Sequence, residues 1–78
     1  MPKLPVLSGK ELVKFLESQG FEPLRQKGSH LRLRAPDGRV TTVPIHSNQD
    51  LAKGLLHKII REDLEMSIED FLSLYSSQ

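Results

Sequence analysis

The 78 residues carry 11 Lys and Arg against 10 Asp and Glu, a net charge of +1, with no cysteine, which excludes disulfide staples and thiolate-held zinc. A chain this short makes one domain, residues 1–78, and buries only about 60% of the surface its unfolded form exposes. No run approaches the ~20 apolar residues of a membrane span, and Met1-Pro2-Lys3-Leu4-Pro5 opens no stretch of signal-peptide length, so no membrane association and a cytoplasmic location are expected.

Ser8-Gly9-Lys10-Glu11 spells a capping box, in which the Ser8 hydroxyl accepts from the Glu11 amide and the Glu11 carboxylate reaches back to the Ser8 amide. Leu7 and Leu12 are spaced as the accompanying hydrophobic staple, and Leu12, Val13, Phe15 and Leu16 give the helix an apolar face. Gly20 suits the left-handed residue that ends such a helix, with Phe21 folding back on it, so a helix is predicted over about residues 9–19. Phe21 to Arg25 reads as a strand, and Pro23, lacking an amide, assigns it to a sheet edge. Leu31-Arg32-Leu33-Arg34 alternates, with Leu31 and Leu33 inward and His30, Arg32 and Arg34 outward. Pro36-Asp37-Gly38 is a turn, and Val40 to Ile45 is the returning strand of a three-stranded antiparallel meander.

A second helix follows, capped by Ser47 or Asp50, with Leu51, Leu55, Leu56, Ile59 and Ile60 on its buried side. Lys53, His57 and Arg61 fall at i, i+4 and i+8 and form a basic stripe, read here first as a solvated face. Gly54 costs about 1 kcal/mol relative to alanine inside a helix, so the helix starts late or packs closely there. Ser67-Ile68-Glu69-Asp70 opens a short final helix with acids at its N-terminal dipole and Phe71, Leu72 and Leu74 as its apolar side. Helix, three strands, helix and short helix define an α+β fold in which the helices cover one sheet face and leave the other wet. Phe15, Phe21 and Phe71 belong to the core, and Tyr75 is a packing residue.

The charge is unevenly distributed. Residues 1–24 balance to zero, whereas residues 25–61 carry Arg25, Lys27, Arg32, Arg34, Arg39, Lys53, Lys58 and Arg61 against Asp37 and Asp50, a net +6. Residues 62–78 hold five acids and no base. A basic middle beside an acidic tail fits a polyanion-binding face with a non-binding end, and equally a solvated surface whose charges happen to segregate.

Most catalytic constellations are missing from this sequence: no phosphate-cradling glycine loop, no HExxH and no cysteine nucleophile. His30, His46 and His57 are not at a metal-binding spacing, so neither a metal nor another cofactor is expected. What remains is Lys27-Gly28-Ser29-His30 entering the second strand, with His30 on the face of Arg32 and Arg34. An imidazole beside fixed guanidinium charges suits proton transfer at a phosphodiester, but this local pattern by itself fits better a surface histidine that starts a strand and is held by ordinary hydrogen bonds.

Lys27-Gly28-Ser29-His30, preceded by a helix ending in Gly20-Phe21, resembles the signature of HicA-like (YcfA-type) mRNA interferase toxins. The resemblance continues through Val43-Pro44-Ile45-His46, the Gly54-Leu55 helix and Glu69-Asp70-Phe71-Leu72, over about residues 8–75. It implies a double-stranded-RNA-binding-domain-like α-β-β-β-α fold, metal-independent endoribonuclease activity on mRNA, and neutralisation by a HicB-like antitoxin protein. The catalytic histidine of the family corresponds to His30. Gly28 would let the backbone turn tightly and Ser29 would orient or contact phosphate, with Lys27, Arg32, Arg34 and His46 as further RNA-binding residues. His46 is also a candidate second proton-transfer group, although nothing in the sequence places it beside His30. Two departures from the family pattern are Lys53-Gly54-Leu55-Leu56 at the second helix entry and the acidic Asp63-Leu64-Glu65 after it. A non-catalytic RNA-binding module of the same fold is the alternative.

Overall fold

The computed structural model describes residues 3–46 and 49–78. Helix α1 (Gly9–Ser18) starts at the expected capping box: the Glu11 amide donates to the Ser8 hydroxyl at 3.2 Å, and the Ser8 amide donates to the Glu11 carboxylate at 2.9 Å. Leu7 and Leu12 are both buried, completing the staple. At the other end Gly20 has φ +95°, the Gly20 amide donates to Glu17 O at 3.1 Å and the Phe21 amide to Leu16 O at 3.0 Å. This is a Schellman closure, and it turns Phe21 into the core rather than into the first strand.

Strands β1 (Glu22–Lys27), β2 (His30–Arg34) and β3 (Val40–Pro44) form an antiparallel sheet in the order β1-β2-β3. β1 is an edge strand, as Pro23 requires, and its register shifts between Pro23 and Arg25, which leaves Leu24 unpaired and half exposed. β1 therefore starts one residue later than the pattern around Phe21 suggests and runs on to Lys27. Every residue of β1 is exposed, because α1 and the segment after α2 pack under β3 and leave β1 overhanging. Leu33 and Val43 are buried on the covered face and Leu31 is half-buried there, opposite Val43.

Two tight loops set the register. Lys27 pairs with His30 across a two-residue loop in which Gly28 has φ +60° and Ser29 does not have positive φ, the pattern of a type II′ hairpin turn. The β2–β3 loop closes through Gly38 N–H to Ala35 O at 3.0 Å and Ala35 N–H to Arg39 O at 2.8 Å, with Gly38 at φ +98°. Arg39 then ties this loop to the rest of the molecule. Its Nε bonds Asp37 at 2.8 Å, its Nη1 donates to Leu64 O at 2.6 Å, and its guanidinium lies 5.6 Å from the centre of the Phe21 ring. Beside it the buried Thr41 hydroxyl donates to Asp63 Oδ2 at 2.8 Å. These contacts hold β3 against the chain that follows α2.

Helix α2 (Lys53–Lys58) is shorter than expected and has no side-chain cap, Ala52 standing at its N-cap. Asp50 does not cap it. Instead Asp50 forms a bridge with Ser8, and the Leu51 amide donates to Leu7 O at 2.7 Å, pairing the two segments that lead into α1 and α2. Ser47 lies outside the described residues. Gly54 falls in the first turn and a Cβ there would meet nothing, so of the two expectations the late start holds and the close packing does not.

α2 runs into a π-helical turn, Ile59–Asp63, whose i→i+5 bond from Leu64 N–H to Ile59 O is 2.9 Å. That wider turn brings Ile59, Ile60 and Leu64 all into the core. Leu55, in contrast, is not on the buried side: it is 37% exposed, and Leu56 takes the inward position. Helix α3 (Ile68–Ser76) begins with the Ser67 hydroxyl accepting from the Asp70 amide at 3.0 Å, under the acids predicted there. Phe71 is buried edge-on against Phe15, while Leu74 is exposed and Tyr75 packs in its place, 5.9 Å from the Phe15 ring centre. The architecture is α-β-β-β-α, an α+β fold with an open three-stranded sheet and a nine-residue helix added at the end.

Candidate active site

Strand pairing assigns the open face of the sheet residue by residue. Partners directly opposite in an antiparallel pair share a face, and residues two apart along a strand do too. The exposed face therefore presents Lys27 opposite His30 and Arg25 opposite Arg32, with Pro44 and Thr42 on the third strand and Glu22 opposite Arg34 at the far end. His30, Arg32 and Arg34 are all exposed, as their alternation with Leu31 and Leu33 predicts.

Two of these cross-strand pairs set like charge against like or against an imidazole, about 5 Å apart between Cβ atoms, an arrangement that weakens a sheet. An anion over the face removes that penalty. Arg25 was absent from the residues singled out by sequence, because the bulge at Pro23–Arg25 decides which side of β1 it occupies. The same pairing divides the predicted set. At about 3.4 Å per residue, Arg32 stands about 7 Å from His30 along β2 and Arg34 about 14 Å. Lys27, His30 and Arg32 can meet one phosphate group; Arg34 reaches only a neighbouring one.

His46 lies two residues beyond Pro44, and the ladder does not stop at the end of β3: the Ile45 amide donates to Ser29 O at 2.6 Å. Extended pairing through Ile45 keeps the period of two, so Pro44 and His46 emerge on the face of His30. The His30 and His46 rings are 6.3 Å apart, centre to centre, at 77°. Ser29 Oγ lies 3.2 Å from His46 Nε2, which gives the Ser29 hydroxyl a histidine as its partner. Gly28 supplies the φ that a type II′ turn demands, and Gln26 Nε2 braces the turn by donating to Gly28 O at 3.0 Å. The hairpin thus carries Ser29 and His30 while the segment just past β3 carries His46, and all three meet at one end of the sheet.

His57 belongs elsewhere. It lies on α2 with Lys53, and with Arg61 of the π-helical turn it lines a groove shared with Lys3, Ser67 and Glu69 on the helical side of the molecule. Arg39 contributes nothing to the open face, its guanidinium being occupied by Asp37 and Leu64. Among the described residues no helix is long and apolar enough to cross a membrane.

The open sheet face carries cations on two neighbouring strands and, at one end, two adjacent imidazoles. A model of the family described as HicA toxin of bacterial toxin-antitoxin matches residues 9–64, from the start of α1 to just past the π-helical turn. The chain belongs to that family. It is a toxin of a toxin–antitoxin system, which implies an antitoxin partner. A search of curated proteins found no match. The match takes in every residue of the candidate site and ends before α3.

Proposed function

We propose that the protein is an mRNA interferase, an endoribonuclease that acts in the cytoplasm without a cofactor and uses His30 as a general acid/base. The observation that carries this reading is the position of His30: exposed, opposite Lys27 and next in its row to Arg32, on the sheet face opposite the one that buries Leu33 and Val43. RNA cleavage needs a proton acceptor at the ribose 2′-hydroxyl, a proton donor at the departing 5′-oxygen and cations at the phosphorane. Lys27, Arg32 and Arg25 are close enough along the face to supply the charge at the reacting phosphate, and Arg34 suits the phosphate beyond it. A HicB-like antitoxin would silence the toxin by covering this face, and complementary charge on it would speed the encounter.

A non-catalytic RNA-binding module remains the second reading, favoured by the Arg25–Arg32 pair, which calls for an anion but not for chemistry. Inducible expression of the wild type and of His30→Ala in a bacterial host, with growth and mRNA integrity followed together, separates the two. Arrest with mRNA loss in the wild type alone, at matched protein levels, is the expected result. An intact mRNA pool under both proteins, with RNA binding retained in vitro, would leave the binding module as the function.

A further inference from the structure

We propose that His46 is the second proton-transfer group of the site, acting on one of the two reacting oxygens while His30 acts on the other. This rests on the ribonuclease reading above. Cleavage of a phosphodiester by its own 2′-hydroxyl moves two protons at opposite ends of the phosphorus: one leaves O2′ as the O2′–P bond forms, and one arrives at O5′ as the P–O5′ bond breaks. The products are a 2′,3′-cyclic phosphate and a 5′-hydroxyl end, and the two imidazoles finish with their protonation exchanged, to be reset by water. One histidine cannot touch both oxygens at once in an in-line displacement, so a second donor or acceptor is required.

Among the described residues His46 is the titratable group placed for it. Its ring centre lies 6.3 Å from that of His30, on the same face and at the same end of the sheet. That separation is too wide for the rings to bond each other. It leaves room for a phosphate whose oxygens come within the ~2.6–3.2 Å that proton transfer needs of each ring. Two features hold the pair in place. The Ile45 amide bond to Ser29 O locks the backbone under both residues, and the Ser29 hydroxyl at 3.2 Å from His46 Nε2 fixes the second ring. The cations alongside, Lys27, Arg25 and Arg32, lie where they stabilise the charge of the phosphate.

The test begins by mapping a cleavage site of the wild type on an mRNA of known sequence. A short RNA spanning that site is then made in two forms, ordinary and with sulfur replacing the bridging 5′-oxygen. His46→Ala should cleave the ordinary RNA about 10²–10⁴-fold more slowly, the range of general acid–base catalysis, while its affinity for an uncleavable 2′-deoxy analogue falls far less than the rate. His46→Gln, which keeps a hydrogen-bonding side chain but cannot carry a proton, should be no better. A thiolate leaves without protonation, so the sulfur substrate should restore one of His30→Ala and His46→Ala and not the other. Wild-type cleavage rates in His46→Gln, parallel loss of cleavage and affinity in His46→Ala, or equal response of both variants to sulfur would overturn the assignment. Failure of the wild type itself to cleave would instead refute the ribonuclease reading, and this one with it.

Discussion

Replacing Gly9 by alanine tests the contact that positions the end of β3. A Cβ at Gly9 would fall onto the carbonyl oxygen of Pro44, 2.9 Å from its carbonyl carbon and 3.1 Å from Ile45 Cα. All three are backbone atoms, so no side chain can swing aside, and ordinary contact is restored only if α1 and β3 separate by at least ~0.5 Å at the carbon and more at the oxygen. Overfilling a packed contact costs about 1–3 kcal/mol, and alanine returns at most about 1 kcal/mol of helix propensity. A net loss of about 1–2 kcal/mol is therefore expected, against a total of roughly 4–12 kcal/mol for a domain of this size. Urea denaturation of wild type, Gly9→Ala and Gly54→Ala measures it. The last variant is the control: its Cβ meets nothing, and it should gain up to about 1 kcal/mol. Because Ile45 lies between Pro44 and His46, Gly9→Ala should also shift the NMR signals of His46 and Ser29. A Gly9→Ala protein as stable as Gly54→Ala, with unmoved histidine signals, would refute the close approach of α1 to β3.

Arg39→Ala should cost about 2 kcal/mol in the same assay, the value of a charge-assisted hydrogen bond to Leu64 O, and should expose Phe21 to quenching or hydrogen exchange. Thr41→Val should cost about 1–3 kcal/mol by stranding the Asp63 carboxylate, measured by thermal melting. The side-chain hydrogen bond from Arg39 holds the Asp37 carboxyl below its ordinary 3.8, so the stability it contributes is present above that value and is lost as pH falls through the lower folded one. Acid titration of stability in Asp37→Asn should lack that component. Arg25→Ala and Arg32→Ala should each reduce the salt dependence of RNA binding, by about 0.7 in log–log slope for a single strand, whereas Lys10→Ala on α1 should leave it unchanged.

Much of the molecule is written locally. The capping box at Ser8, the Schellman closure at Gly20, the turn at Asp37-Gly38 and the alternation from His30 to Arg34 each depend on residues within five positions of one another, and each forms as the sequence indicates. Hydrogen-bonding side chains and glycine conformations act over that range whatever the rest of the chain does. His30 was legible for the same reason, since period two alone sends it to the face of Arg32. The tertiary structure decided the remainder. Leu55 stands at the exposed edge of α2 while Leu56, Ile59 and Ile60 face inward, and the π turn that follows adds Leu64 to the core. Asp50 became a pairing residue because the segment before α1 runs beside it. Arg39 left the basic face for a carbonyl 25 residues away. His46 reached His30 only through the pairing of β3 with β2, a contact between chain segments 16 residues apart whose register no local spacing encodes. Side-chain type and period determine which face a residue takes on its own element; the meeting of two elements depends on packing that only the folded chain supplies.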